Sequence, residues 1–270
     1  MTGARSEAPE LPAVFPALAS AAFLPLRYRA GRQRTWSGHL PFARDLVASL
    51  RPRLLVELGT HYGESYFGFC QSIVETGCDC TCYAVDTWVG DPHSLAYGRE
   101  VYDDVEQHNS EQYGAFSHLL RSTFDDALAK FTEESIDLLH IDGLHTYDAV
   151  KTDFETWRCK LSDRAVVLFH DTVETQRDFG VYRLWAELSP NFPSFNFEHG
   201  HGLGILAVGS QPPPAFLDFL RTANAKPAAT RGLFAALGRR VLLETEKRWL
   251  NQKSPVQRAL TVLKSKSLLR

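Results

Sequence analysis

The chain has 270 residues, of which 44% are hydrophobic and 23% charged. That composition is close to the globular average and excludes a wholly disordered chain; no apolar run is long enough to predict a membrane-spanning helix. The net charge of −3 conceals an uneven distribution: residues 1–53 carry 8 Lys/Arg against 3 Asp/Glu, residues 231–270 carry 10 against 2, and the middle carries 11 against 27. No nucleic-acid partner is expected from this acidic body with two basic ends.

Residues 1–35 are rich in Ala, Pro and Arg, and Pro9, Pro12, Pro16 and Pro25 interrupt every apolar stretch. This is a poor secretory signal and reads as an irregular arm. From Pro41 the apolar residues Phe42, Leu46, Val47 and Leu50 recur on one helical face, which Pro52 ends. Residues 54–58, stopped by Gly59, form a short apolar run of the kind buried in parallel sheets. A helix over 65–76 leads to a second such strand over 82–86. A long polar stretch, 87–113, is followed by an expected helix near 114–120 and a turn and helix over 122–131. The third clear strand is 136–142, the helix 147–160 follows, and the fourth is 165–169. After a short helix at 181–188, residues 195–199 and 204–208 suggest an antiparallel hairpin. Strands alternating with helices and closed by an antiparallel pair predict a doubly wound α/β sheet with a mixed edge. Pro212, Pro213 and Pro214 mark a boundary, giving an arm (1–35), a domain (36–211) and a basic helical extension (212–270).

Four clusters carry chemistry. The turn after the first strand contains Glu57, Gly59, Thr60, Gly63 and Ser65. Its Gly-x-x-x-Gly spacing is neither a dinucleotide fingerprint nor a P-loop, and Glu57 would repel a phosphate and accept an ammonium group. Asp86 ends the second strand, where a carboxylate suits ribose hydroxyls; as a lone residue it would equally serve as a turn or cap. A ligand with a ribose, an amine and no phosphate fits both, as S-adenosylmethionine does. Asp142 and His145 follow the third strand, and His170 and Asp171 end the fourth. Two carboxylates with an imidazole suit Mg²⁺, Mn²⁺ or Fe²⁺, and His145 suits a general base near neutral pH. Helix capping and packing are the alternative roles of these residues. The run from Glu198 to Gly204, with His199 and His201, reads as a hairpin turn. Cys78, Cys80 and Cys82 lack a zinc-site spacing and read as structural.

The ordered set Glu-Leu-Gly-x-x-x-Gly, Val-Asp-Thr-Trp, Ile-Asp-Gly-x-His-x-Tyr and Phe-His-Asp resembles the class I S-adenosylmethionine-dependent methyltransferases over about residues 36–209. More narrowly, it is similar to the branch grouped with macrocin O-methyltransferase and the cephalosporin hydroxylase-like proteins. The resemblance implies a Rossmann-like, seven-stranded doubly wound sheet and O-methyl transfer to a sugar hydroxyl in bacterial glycan or glycosylated-metabolite biosynthesis. It implies that Glu57, Gly59, Thr60, Gly63 and Ser65 surround the methionine part of the cofactor, and that Asp86 binds the ribose with Thr87 and Trp88 beside it. Ser122, Thr123 and Phe124 would lie near the adenine. Asp142, His170 and Asp171 would hold Mg²⁺ or Mn²⁺, with Asp142 and His145 as the catalytic pair. His170 stands where metal-dependent relatives carry a carboxylate, so metal-free catalysis by His145 stays open.

Residues Trp88, Asp91, His93, Tyr97 and Tyr102 are expected to form a lid and sugar-binding surface. Two rival readings remain: a metal-dependent hydrolase or hydroxylase on the same rim, and a non-catalytic glycan- or partner-binding module. The basic residues of 231–270, among them Arg239, Arg240, Lys247, Arg248, Lys264 and Lys266, suit an anionic membrane face or the acidic body of a second subunit in a homo-oligomer. The expected location is the cytoplasm, with the inner membrane face as the contact.

Overall fold

The structure, a computed structural model, describes residues 35–252; almost all of the N-terminal arm, and Lys264 and Lys266, lie outside them. Strands β1 (Leu54–Leu58), β2 (Thr81–Asp86), β3 (Ser117–Arg121), β4 (Ile136–Ile141), β5 (Leu161–His170), β6 (Ser194–Phe197) and β7 (Leu203–Ala207) form one sheet in the order β3-β2-β1-β4-β5-β7-β6. The first five are parallel, and β7 runs antiparallel to both β5 and β6. This is the expected Rossmann-like sheet with an antiparallel edge hairpin.

The helices are α1 (Leu40–Leu50), α2 (Glu64–Thr76), α3 (Arg99–Gln112), α4 (Phe124–Leu128), α5 (Tyr147–Trp157), α6 (Val181–Leu188), α7 (Pro214–Ala225) and α8 (Pro227–Gln252). Alternate strand residues feed two core layers. Leu55, Leu138, Val166 and Leu168 pack with residues of α1, α2, α7 and α8. Val56, Leu58, Leu139, Val167 and Phe169 pack with residues of α5 and α6 on the other face. The central strands are therefore apolar on both sides, which is why they read as continuous runs.

Helices α7 and α8 share the first of these layers: Phe219 and Phe234 stack around Phe42 and Phe197. Cys70, Cys78, Cys80 and Cys82 are free and buried in it as well. Among the described residues no helix is long and apolar enough to cross a membrane.

Two segments differ from the sequence expectation. The helix expected near 114–120 is instead a turn followed by the edge strand β3, which pairs with β2 from Cys82↔Ser117 to Asp86↔Arg121. The open edge of β2 supplies backbone partners there, and tertiary pairing outweighs the helix propensity of Leu119 and Leu120. The polar stretch 87–113 contains a two-residue hairpin (Gly90–Asp91 with Leu95–Ala96) and the regular helix α3. Of the residues expected on a lid, Trp88 is buried in the core, and the partly buried Tyr102 packs edge to face against it.

Candidate active site

A cavity of about 690 Å³ opens at the carboxyl ends of β1, β2, β4 and β5, the position at which open α/β sheets bind ligands. Its floor is the β1–α2 turn. Gly59 there has φ +87°, and a Cβ on it would lie 2.2 Å from the Asp142 carbonyl oxygen. Only glycine lets the β1 and β4 loops touch in this way, so Gly59 brings two halves of the site together. Thr60 and Ser65 line the cavity, whereas Gly63 ends the turn as the left-handed residue before α2 and does not.

Glu57 lies beneath this wall. Its Oε2 is 2.8 Å from His140 Nδ1, and both side chains are fully buried. Burial pushes the Glu57 carboxyl up, against the opposing pull of His140. The carboxylate that reaches the cavity from this turn is Glu64, which accepts hydrogen bonds from the Trp36 N–H at 2.9 Å and from the Ser37 hydroxyl.

Asp86 lines the cavity at the end of β2. Its Oδ2 accepts the N–H groups of Thr60 and His61, each at 2.8 Å, and its Oδ1 accepts the N–H of Trp88 at 2.7 Å. Three of its roughly four lone-pair positions are thereby engaged. Thr87 lines the cavity beside it. Trp88 does not: it is 1% exposed, and its indole N–H donates to the His61 carbonyl. Phe124 lines the cavity, while Thr123 caps α4 and borders only a shallow neighbouring depression. Ser122 donates its N–H to the Asp86 carbonyl.

The opposite wall gathers Asp142, His145, His170 and Asp171. One ligand atom from each of Asp142, His170 and Asp171 lies within 4.8 Å of the others. His170 Nδ1 is 3.3 Å from Asp142 Oδ1 and 3.4 Å from Asp171 Oδ2, and His145 Nε2 is 3.3 Å from Asp171 Oδ2. Burial alone would lower the His170 pKa, but the two carboxylates outweigh it and hold the imidazole well above its usual range. Burial pushes the Asp142 carboxyl up, but His170, with His140 and His145, together pull it well below the usual carboxylate range. Such a concentration of opposed carboxylates and imidazole fits a divalent cation.

Of the expected lid residues, Asp91, His93 and Tyr97 do line the cavity. Tyr97 stacks on His61 at 4.5 Å, and His145 and His93 both stack on Phe179 at 4.9 and 4.6 Å. His93 Nε2 also meets Asp178 Oδ1 at 2.7 Å, joining the loops after β2 and β5 across the opening. Trp36, His61, Glu64 and Phe179 are lining residues that the sequence reading did not assign. His61 and Glu64 stand inside the motif already singled out; Trp36 and Phe179 carry no local signal.

Residues 56–172 match a family described as a methyltransferase domain. Over that segment the chain is similar to a methyltransferase domain. The match spans β1 to the end of β5 and so includes Glu57, Asp86, Asp142, His145, His170 and Asp171.

An uncharacterized protein of Sinorhizobium fredii, y4gI, is 51% identical over 187 residues, covering 69% of this chain and 20% of that protein. The chain thus aligns with about a fifth of its curated relative's length. A Corynebacterium glutamicum protein of known structure superposes on this chain with a TM-score of 0.50 at 12% identity, covering 72% of this chain and 90% of the other, and so shares its fold. The O-methyltransferase TomG of Streptomyces achromogenes, solved in complex with SAM, aligns at 17% identity with a TM-score of 0.47, covering 72% and 90%.

Proposed function

We propose that the chain is an S-adenosylmethionine-dependent O-methyltransferase acting on a sugar hydroxyl. The observation that carries this reading is that one cavity of this methyltransferase-like domain joins the Asp86-held β1–α2 turn to the Asp142, His145, His170 and Asp171 rim. The turn, with Thr60, Ser65, Glu64 and Asp86, is the cofactor side: two carboxylates face a cationic ligand with a ribose. Asp86 has one lone-pair position left for a ribose hydroxyl after its three backbone bonds.

The rim is the acceptor side. His145, with Nε2–H directed to Asp171, keeps its Nδ1 lone pair for the acceptor proton. As the proton leaves, the hydroxyl oxygen attacks the methyl carbon, the carbon–sulfur bond breaks, and S-adenosylhomocysteine is left with the proton on His145. The protein's contribution is alignment of oxygen, methyl and sulfur. Asp142, His170 and Asp171 would hold a divalent cation, which supplies a lowered pKa for the acceptor hydroxyl. Tyr97, His93 and Phe179, which line the cavity, suit the apolar face of a sugar ring, and Asp91 its hydroxyls.

Residues 36–211 are read as the catalytic unit, with the basic residues Arg239, Arg240, Lys247 and Arg248 of α8 as a contact to an anionic membrane face in the cytoplasm. Liposome co-sedimentation and analytical ultracentrifugation test that contact and self-association. Calorimetry with S-adenosylmethionine tests the main reading: wild-type protein should bind, and absence of binding would overturn it. Mass spectrometry of candidate glycan acceptors should show the gain of one methyl group in place of a hydrogen.

A further inference from the structure

The β6–β7 turn, from Glu198 to Gly202, has no part in the chemistry above, yet it backs the rim. The Gly200 carbonyl oxygen lies 3.1 Å from His170 Nε2 and 3.2 Å from His39 Nε2. A carbonyl oxygen only accepts, so both Nε2 atoms carry hydrogen and donate. His170 is thereby left with Nδ1 facing Asp142 and Asp171.

His39 is fully buried, and its ring packs edge to face against that of His170. Its Nδ1 has no hydrogen-bond partner among the described residues, leaving the bond to Gly200 as its polar contact there. Gly200 has φ +56°, and a Cβ on it would stand 2.9 Å from His39 Nε2. The turn and the histidine are fitted to each other at this carbonyl.

We propose that His39 and Gly200 are positioning residues that hold His170 with Nε2–H on the Gly200 carbonyl and Nδ1 toward Asp142 and Asp171, where a bound cation would take the place of the Nδ1 proton, and that the rim therefore selects an imidazole-accepting cation such as Mn²⁺, Fe²⁺, Co²⁺ or Zn²⁺ over Mg²⁺. This rests on reading the rim as a cation site. Mg²⁺ favours carboxylate, carbonyl and water oxygen, whereas imidazole suits the first-row transition metals. An outer partner that fixes a ligating histidine's tautomer typically changes metal affinity 10- to 100-fold.

Co²⁺ is the probe, read by visible absorption and by equilibrium dialysis of the full chain. Wild-type protein should bind Co²⁺ with a nitrogen-ligated spectrum, and a large excess of Mg²⁺ should fail to displace it. His170→Asp should lose the nitrogen signature and move the preference toward Mg²⁺. His39→Phe should weaken Co²⁺ binding about 10- to 100-fold. His39→Gln, whose amide N–H can still reach the carbonyl, should restore most of it, which a merely space-filling role would not predict.

Displacement of Co²⁺ by equal Mg²⁺, or unchanged Co²⁺ affinity in a folded His39→Phe variant, overturns the proposal. If His39→Phe does not fold, the His39→Gln and His170→Asp arms decide. Cofactor calorimetry is read separately: Co²⁺ binding without S-adenosylmethionine binding sinks the methyltransferase reading alone, and the reverse result sinks this one alone.

Discussion

His140 Nδ1 lies 2.8 Å from Glu57 Oε2 between adjacent strands, with both side chains fully buried. Neither group has water to fall back on, so removing one partner strands the other. Glu57→Leu alone, or His140→Phe alone, should cost about 3–5 kcal/mol in denaturant unfolding. The double variant should cost less than the sum of the two, because no buried group is then left unpaired. Strict additivity would show that the pair does not interact.

Asp86 is expected to act on the loop as well as on the cofactor. An asparagine there cannot accept all three backbone N–H groups, because its amide nitrogen donates. Asp86→Asn should destabilise the protein by about 1–3 kcal/mol even without cofactor. It should also weaken S-adenosylmethionine binding at least tenfold. A variant with normal melting and normal binding would count against both roles.

His145→Ala should separate chemistry from binding. Loss of a general base lowers turnover by roughly 10²- to 10⁴-fold. Cofactor affinity measured by calorimetry should stay near wild type, since the cofactor side of the cavity is built from the β1–α2 turn and Asp86. Equal loss of turnover and cofactor affinity would point to collapse of the rim instead.

Asp45 is a source of pH dependence outside the site. It is 8% exposed on α1, and burial raises its pKa from 3.8 to about 7 despite the opposing effect of Arg44. A carboxyl raised by folding contributes stability that is complete below its unfolded pKa and is lost as pH climbs through the folded value. Asp45→Asn should therefore raise the melting temperature at pH 8, by up to about 4 kcal/mol in free energy. It should change little near pH 3. Thermal melts across pH 3–8 measure the difference.

Strands β1, β2, β4 and β5 were legible because burial on both faces makes them continuous apolar runs. Their ends in turn located Asp86, Asp142, His170 and Asp171 on one rim. Edge strand β3 was not legible, since Ser117 to Arg121 alternates weakly and owes its form to the exposed edge of β2. The Glu57–His140 pairing needed strand register, although each is an ionisable residue inside an apolar run and so announces a buried partner. Trp36 and Phe179 reach the cavity from segments whose approach is decided by tertiary packing. Burial of Trp88 beside Tyr102 is of the same kind: an aromatic next to a polar loop looks like a binding surface until its ring is seen inside the core.

Helix α8 crosses the segment after Trp36 so closely that a Cβ on Gly238 would stand 2.1 Å from the Gly38 carbonyl oxygen. That segment supplies the Trp36 and Ser37 donors to Glu64 on the cavity wall. Bulk added at Gly238, far along the chain from every proposed catalytic group, would thus be felt as an altered pocket. A genetic screen for lost methyl transfer should return changes at this helix crossing alongside those at the rim, and their defect would lie in cofactor retention with the proton-transfer groups intact.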